Sequence, residues 1–353
     1  MIHHSKPLIH SDDIRAVAAV VESGMLVGGG KVPAFERALA ASIGLPHAAA
    51  ASSGTAALYL ALRALGVGGG DEVVIPSYVC TALLHAVMMT GAEPALADTG
   101  GDGVHMDAGA VRRAFTARTK AVVFPHMFGA ACDIGDIVAL GVPVIEDCAM
   151  SLGAERCGVK AGNLGSAAAM FSFYATKVIA AGEGGMVLSG DRALVERVRD
   201  LSDYADKLDG FLRFNFAMTD MTAALGLSQL ERLPSMIARR RELASRYSAA
   251  FADTDLELPA EKTGERHIFY RYVVQNDRTE ALRMSLRERG IMAERPVAAP
   301  LSRVPGMAVE CPGAERAWKR SLSLPLYPAL SDAEAETVIG AVREIFLSSG
   351  PAR

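Results

Sequence analysis

Residues 169–177, AMFSFYATK, combine a strand-like apolar segment with a lysine placed just beyond its end. The segment is continuously apolar rather than alternating, which is typical of a strand buried on both faces of a sheet. Six other segments have the same character, and helix-like segments separate several of them. The seven are AAAASS (48–53), EVVIPS (72–77), EPALAD (93–98), KAVVFPH (120–126), PVIEDC (143–148), AMFSFY (169–174) and GMVLSG (185–190). This alternation predicts an α/β fold whose sheet is mostly parallel.

The second part of the chain has a different pattern. A long helical pattern over residues 219–250 is interrupted by Pro234, which predicts two helices or a kink. Shorter elements follow, and they read as RHIFYRYVVQ (strand, 266–275), EALRMSLRERG (helix, 280–290), SLSLPLY (strand, 321–327) and a helix near 331–346 that Ser331 and Glu334 cap. We therefore predict a large α/β domain over residues 1–235 and a small α+β domain over residues 236–353.

The composition excludes several classes of protein. The chain has 353 residues, half of them apolar, and a net charge of −4, so it lacks the basic surface expected of a nucleic-acid-binding protein. The five cysteines are odd in number and irregularly spaced, which favours reduced thiols over a disulfide framework or a metal site. No apolar stretch approaches the roughly 20 residues that a membrane helix needs. We expect a cytoplasmic protein with no metal, nucleic-acid or membrane partner.

Three features stand where predicted strands end, and ligands of open α/β sheets bind at that edge. SSGT (52–55) precedes a helix, whose N-terminal amides attract phosphate; an ordinary helix cap is the alternative. Asp147 ends an apolar strand, where a buried carboxylate requires a partner such as a protonated ring nitrogen or a salt bridge. Lys177 follows the strand that ends in FSFY, and an amine in partly apolar surroundings is more often neutral and nucleophilic. Taken alone, each feature is better explained by an ordinary structural role, namely a helix cap, a salt bridge or a solvent-facing lysine.

Together the three features match one cofactor. Pyridoxal phosphate (PLP) carries a phosphate at one end, a ring nitrogen at the other and an aldehyde between them. A phosphate-binding helix start, a carboxylate for the ring nitrogen and a lysine for the aldehyde would hold all three groups. The order of these features along the chain therefore predicts a PLP enzyme.

Several motifs in the same order resemble one known family. They are SSGTAAL, GDEVVIPSY, EDCAMSLGA, FSFYATK, GEGGMV and FNFAMTDMTAALGLSQLERL. The set resembles the DegT/DnrJ/EryC1/StrS family of PLP-dependent aminotransferases, over nearly the whole chain. The resemblance implies the fold type I architecture of aspartate aminotransferase, with a seven-stranded large domain and a small C-terminal domain.

The resemblance assigns the cofactor contacts residue by residue. Lys177 matches the Schiff-base lysine, which also moves the proton between substrate and cofactor. Asp147 matches the carboxylate that keeps the ring nitrogen protonated. Gly54 and Thr55 match the backbone contacts to the phosphate, and Ser172 matches a hydroxyl contact to the same group.

Further contacts follow from the resemblance or from residue type. Asn215 matches an asparagine that reaches the cofactor phosphate of the neighbouring subunit, which implies a homodimer with shared active sites. His126 matches a histidine near the cofactor ring and the substrate, with a satisfied core histidine as the alternative. Arg271 and Arg295 are candidate contacts to an anionic group of the substrate, with solvated arginines as the alternative.

Four positions depart from the family pattern. Cys80 stands where an aromatic residue often stacks on the cofactor ring, and Met150 stands where Gln or His often contacts the phenolic oxygen. Both would still give polarizable contacts to the ring, so we predict that they line the cofactor. Ala217 replaces a residue that is often basic, and Arg295 stands where a histidine is usual. These departures bear on the substrate.

The expected function is transfer of an amino group, from glutamate as in the family, to a nucleotide-linked keto-sugar in polysaccharide or secondary-metabolite biosynthesis. A transaminase of a keto-cyclitol or another small ketone is an alternative. A non-catalytic PLP-binding or regulatory protein of the same fold is another, and a lyase or dehydratase a third. The presence of Lys177 argues against the last two.

Overall fold

The computed structural model describes residues 1–307 and 309–348, and it contains the predicted seven-stranded sheet. Its strands are β1 (His47–Ala51), β2 (Glu72–Pro76), β3 (Glu93–Ala97), β4 (Thr119–Pro125), β5 (Val144–Asp147), β8 (Ala168–Ser172) and β9 (Gly185–Ser189). Their order is β1-β9-β8-β5-β4-β2-β3. Strand β9 pairs antiparallel with β1 and β8, and the remaining pairs are parallel. The mostly parallel sheet is therefore confirmed.

Helices cover the sheet, and most strand residues are buried, whereas the edge strand β3 is exposed at Glu93 and half-buried at Pro94 and Ala95. The helices of this part are α1 (Ser11–Ser23), α2 (Lys31–Ile43), α3 (Gly54–Ala64), α4 (Thr81–Met89), α5 (Ala108–Ala114), α6 (Gly135–Val138), α7 (Arg192–Ser202) and α8 (Asp220–Glu231). Helix α3 is apolar around most of its circumference because it lies between the sheet and helices α4 and α7. Its start is therefore fixed firmly against the end of β8.

Neighbouring strands bring the predicted site residues to one edge of the sheet. Strand β5 ends at Asp147, and this residue is in register with Met170 of the parallel strand β8. Strand β8 ends two residues later at Ser172, and Lys177 follows in the next turn. Because both strands run in the same direction, Asp147, Ser172 and Lys177 emerge at the same edge.

The C-terminal elements form a second core. They are α9 (Leu233–Phe251), β10 (Glu265–Arg266), β11 (Tyr272–Gln275), α10 (Thr279–Glu288), α11 (Pro312–Arg320), β12 (Ser321–Leu324) and α12 (Asp332–Ser348), and β10 joins a small sheet with β6 (Glu155–Arg156) and β7 (Val159–Lys160). Pro234 lies in the first turn of α9, so the predicted interruption separates α8 from α9. Ser331 and Glu334 exchange the hydrogen bonds of the predicted capping box.

The prediction of one continuous strand over 266–275 is wrong. Phe269 adopts a left-handed conformation with φ 49°, which breaks the segment between β10 and β11. The backbone N–H groups of Ile268 and Arg271 donate to the carbonyls of Gly129 and Phe128 in the large domain. These long-range bonds replace the strand ladder.

Helix α9 contributes to both cores. Met236 and Ile237 pack in the cluster beneath the main sheet, whereas Leu243 and Tyr247 pack with the C-terminal elements. The domain division at 235/236 stays a prediction, and it falls within this helix. None of the helices in the part of the chain that the structure describes is long and apolar enough to cross a membrane.

Candidate active site

Lys177 lies in the turn that follows β8. Its backbone N–H donates to the carbonyl of Tyr174 over 2.8 Å, and Ala181 N–H donates back to Phe173 over 2.8 Å, which closes the turn. The side chain is half-buried, and its Nζ lies 5.9 Å from the centre of the Tyr270 ring. The turn thus holds one amine beside an aromatic ring at the carboxyl edge of the sheet.

Asp147 is buried and only partly satisfied. Its Oδ1 accepts the N–H of Ala149 over 2.9 Å, and Oδ2 has no hydrogen-bond partner among the described residues. Burial raises the pKa of Asp147, although the Ala149 N–H and the nearby charges of Lys177 and His126 oppose the rise. A protonated ring nitrogen at Oδ2 would supply the missing partner, so the carboxylate fits the proposed cofactor.

Gly54 and Ser172 are in direct contact at the start of α3. A Cβ added at Gly54 would lie 2.7 Å from the Cβ of Ser172 and 2.8 Å from its Oγ. Ser53 caps the helix by accepting the N–H of Ala56 over 3.1 Å. The N–H groups of Gly54 and Thr55 precede the first intrahelical bond, so they remain available to an anion. The glycine keeps this cradle open beside the Ser172 hydroxyl.

Cys80 and Met150 flank the same region. Cys80 immediately precedes α4, it is exposed, and the charges of both Asp147 and Lys177 act on its thiol. Met150 is half-buried and packs against two of the hydrophobic clusters that contain strands of the main sheet. The structure therefore places Cys80 near Asp147 and Lys177.

Asn215 stands apart from these groups in the single chain. Its side chain is exposed in the extended segment before α8, between Phe214 and Phe216, whose rings stack on each other. The carbonyl of Phe216 accepts the N–H of Ser52 over 2.7 Å, which ties this segment to the SSGT turn. Ala217 follows and is half-buried. Any role of Asn215 beyond its own chain stays a prediction.

His126 requires a correction. Its side chain is fully buried, with Nε2 2.9 Å from Glu146 Oε2 and Nδ1 accepting the N–H of Cys132 over 3.1 Å. Both ring nitrogens are therefore used inside the protein, and no polar atom is left for a substrate. The geometry favours the core-histidine alternative, and we withdraw His126 as a substrate contact.

The two candidate arginines differ in their surroundings. Arg295 stacks on Trp318 at 4.3 Å and forms an ion pair with Glu280, so its guanidinium is engaged among the C-terminal elements. This arrangement favours a structural role for Arg295. Arg271 contacts the ring of His4 and lies 5.2 Å from the Tyr270 ring, and its buried Nε has no partner among the described residues. Arg271 is the better candidate for an anion.

Sequence reasoning missed Tyr270. Its buried ring lies near three cations, Lys177, Arg240 and Arg271. Burial acts to raise the pKa of Tyr270, but Lys177 and Arg271 outweigh it and hold the pKa below its usual value. The pattern of RHIFYRYVVQ predicts a plain strand, and nothing in it indicates which aromatic residue faces Lys177.

Comparisons with known proteins show the family to which the chain belongs. The model of the DegT/DnrJ/EryC1/StrS aminotransferase family matches residues 7–343. The spore coat polysaccharide biosynthesis protein SpsC of Bacillus subtilis (strain 168) is 36% identical over an alignment of 375 positions, which covers 97% of this chain and 96% of SpsC.

Solved structures show the same architecture. The crystal structure of an aminotransferase, TlmJ from Streptoalloteichus hindustanus, has a TM-score of 0.94 and 34% identity, with 100% of both chains covered. Spr1654 from Streptococcus pneumoniae, solved in a PLP form, has a TM-score of 0.92 and 25% identity, with 98% of this chain and 99% of that chain covered. The predicted fold, that of PLP-dependent aminotransferases, is confirmed.

Proposed function

The chain belongs to the DegT/DnrJ/EryC1/StrS aminotransferase family and is a PLP-dependent aminotransferase, and we propose that it transfers an amino group from glutamate to a nucleotide-linked keto-sugar. The observation that carries the proposal is the convergence of Lys177, the half-satisfied Asp147 and the cradle of Gly54 and Ser172 at one sheet edge. The similarity to SpsC, named for polysaccharide biosynthesis, supports a sugar as acceptor.

Each residue has a distinct proposed task. Bound PLP supplies an aldehyde that exchanges amino groups and a ring that withdraws electrons from the reacting carbon. Lys177 Nζ would hold the cofactor through its aldehyde, and the same amine would carry the proton removed from the donor carbon. The Asp147 carboxylate would accept the N–H of the cofactor ring and so keep that nitrogen protonated. The Gly54 and Thr55 amides and the Ser172 hydroxyl would bind the phosphate, and Cys80 and Met150 would contact the ring.

We propose a homodimer with shared sites, in the cytoplasm, where the five free thiols would stay reduced. The exposed apolar side chains of Tyr204, Leu208, Phe211 and Leu212 support an interface on the segment that leads to Asn215. Asn215 would then reach the phosphate of the partner subunit's cofactor. Arg271 would contact an anionic group of the substrate.

A substrate screen tests this function. The purified holoenzyme is incubated with glutamate and either keto-sugar nucleotides or keto-cyclitols, and 2-oxoglutarate release is measured together with the aminated product. Turnover with a keto-sugar nucleotide is expected. Turnover with keto-cyclitols alone would identify the acceptor as a small ketone. If neither keto-sugar nucleotides nor keto-cyclitols support release of 2-oxoglutarate, the result would favour a non-catalytic protein and contradict the proposal.

A further inference from the structure

The turn that carries Lys177 is hydrogen-bonded to a side chain of helix α8. The backbone N–H of Ala180 donates to Oε1 of Gln229 over 3.3 Å, although the two residues are 49 positions apart in the sequence. In the part of the chain that the structure describes, no other hydrogen bond links residues 178–180 to a different element. This arm of the turn is therefore attached to the rest of the protein through Gln229 and through packing.

Gln229 is itself fixed by the N-terminal part of the chain. It is 1% exposed, and its Nε2 donates to the carbonyl of Leu8 over 2.9 Å and to Oδ2 of Asp13 over 3.0 Å. Asp13 lies in the first turn of α1, and its carboxylate also accepts hydrogen bonds from Ser228 over 2.7 Å and Arg232 over 2.6 Å. Because Oε1 accepts and both Nε2 hydrogens donate, the amide has one orientation, and it joins the start of α1 to the turn.

Gln229 lies beside Lys177, but its polar atoms are already used inside the protein. Both residues line a small cavity of about 10 Å³, which has room for about one water molecule. The space between them is therefore too small for a cofactor or a substrate. Any effect of Gln229 on the chemistry of Lys177 must act through the position of the turn.

We propose that Gln229 is a positioning residue for Lys177, because it ties the turn to α1 and so keeps the amine within reach of the cofactor aldehyde. A turn with a free arm would let the lysine sample several positions, and many of them would lie too far from the aldehyde to react. A displacement of about 1 Å can slow a reaction by about a hundredfold. The inference rests on the proposed role of Lys177, and it does not depend on the amino donor or on the acceptor.

Hydrogen exchange tests the link between Gln229 and the turn. The full-length holoenzyme of the wild type and of Gln229→Met is transferred to deuterated water, and fragment ions resolve the N–H of Ala180. Methionine keeps the length of the side chain and loses the three hydrogen bonds. The Ala180 N–H is expected to exchange about three- to tenfold faster in the variant, because one hydrogen bond is lost. The amides of β8 should exchange as in the wild type.

Capture of the cofactor tests the position of the amine. The full-length apoprotein is mixed with increasing concentrations of PLP, and the visible absorbance of the lysine-bound cofactor is followed in time. The limiting rate reports how well Lys177 meets the aldehyde, whereas the half-saturating concentration reports the earlier binding of the phosphate and the ring. In Gln229→Met the limiting rate is expected to fall about ten- to hundredfold, while the half-saturating concentration stays within about twofold. A merely structural role for Gln229 would change both values or neither.

Ser228→Ala is the matched control for Gln229→Met. Ser228 donates to the same Asp13 carboxylate, but it forms no hydrogen bond with the turn that carries Lys177. This variant is expected to melt at a lower temperature and to keep the wild-type limiting rate and the wild-type exchange of Ala180. Loss of stability is thereby separated from displacement of the lysine. If Ser228→Ala slows the capture of PLP as much as Gln229→Met does, the proposal is wrong.

Two further results would overturn the inference and leave the proposed function intact. One is an Ala180 N–H that exchanges in the folded wild type as fast as in a free peptide, and the other is a folded Gln229→Met protein that captures PLP at the wild-type limiting rate. If Gln229→Met does not fold, Gln229→Leu replaces it, and if neither folds, the exchange of Ala180 in the wild type decides. Reduced PLP found on a lysine other than Lys177 would instead overturn the proposed role of Lys177, and with it this inference.

Discussion

At the scale of single residues, the proposed chemistry depends on a carboxylate that the protein itself leaves half-satisfied. Asp147 is buried, has one backbone donor, and has a raised pKa. A raised pKa means that the protonated form suits the fold without cofactor, so stability is greatest at low pH and falls as pH rises through the folded-state pKa. The residue therefore costs the apoprotein stability at neutral pH.

Asp147→Asn should act in opposite directions on stability and on cofactor binding. The neutral amide removes a buried charge, so the apoprotein is expected to melt at a higher temperature at neutral pH. PLP should bind more weakly, because a hydrogen bond to a charged group contributes about 1.5–3 kcal/mol, on the order of ten- to hundredfold in affinity. Thermal melting and PLP titration of the apoprotein measure the two effects.

Asp147→Glu is the matched control, since it keeps the charge and changes only its reach. A variant Asp147→Asn that binds PLP as tightly as the wild type would exclude the ring-nitrogen role. If Asp147→Asn lowers the melting temperature of the apoprotein, burial of the Asp147 carboxylate does not destabilise the fold.

Strand order could be predicted from the sequence, whereas contacts made by long-range packing could not. Lys177, Asp147 and Ser172 end neighbouring parallel strands, so strand order alone brings them together. Tyr270 reaches Lys177 only because the left-handed Phe269 turns the chain back onto the large domain, and no local pattern encodes that contact. The orientation of the His126 ring toward Glu146 is likewise a packing result that sequence position does not reveal.

At the scale of elements, the start of α3 against the end of β8 forms the proposed phosphate cradle. The contact leaves no room for a side chain at position 54, because a Cβ there would lie 2.7 Å from the Cβ of Ser172. Gly54→Ala is therefore expected to destabilise the protein by about 1–3 kcal/mol through overpacking. It should also weaken PLP binding, because the first amides of α3 would move away from the phosphate.

A second glycine provides the control for Gly54→Ala. Gly340 lies in α12 with open space around it, so Gly340→Ala should stabilise the helix by about 0.5–1 kcal/mol and leave PLP binding unchanged. The double variant Gly54→Ala, Ser172→Gly removes the clash and should recover part of the lost stability. Denaturant unfolding measures the stability of all three variants. A Gly54→Ala protein that is as stable as the wild type would contradict the close contact between Gly54 and Ser172.

Some elements could be predicted from local sequence, and others depend on contacts with distant parts of the chain. The seven main strands were predictable because each is a continuous apolar run, and the capping box of α12 was predictable because its residues are local. The short strands β6, β7 and β10 were not, since each has two residues and forms only through pairing with the others. The break at Phe269 depends on carbonyls of Phe128 and Gly129, far away in the sequence.

At the scale of the whole molecule, the exposed apolar segment before Asn215 bears on assembly. Leu208 and Phe211 are 102% and 75% exposed, which is unusual for side chains of this type outside an interface. We expect the wild-type protein to sediment as a dimer. The double variant Leu208→Glu, Phe211→Glu should be monomeric and bind PLP more weakly, because Asn215 of one subunit would no longer reach the other subunit's site.

Met284→Glu is the control for this experiment, because Met284 is exposed on α10 outside the segment. Sedimentation velocity gives the assembly state, and PLP titration gives the affinity. A monomeric wild-type protein would contradict the shared-site arrangement. A charged double variant that stays dimeric would place the interface elsewhere.

The position of the covalent link between PLP and the protein tests the role of Lys177 most directly. The holoenzyme is reduced with borohydride and digested with trypsin, and the peptides are weighed. We predict a pyridoxyl group on Lys177, in an uncleaved peptide over residues 161–192, and none in Lys177→Ala. A fully loaded wild-type protein whose reduced cofactor lies on another lysine, or on none, would contradict the account.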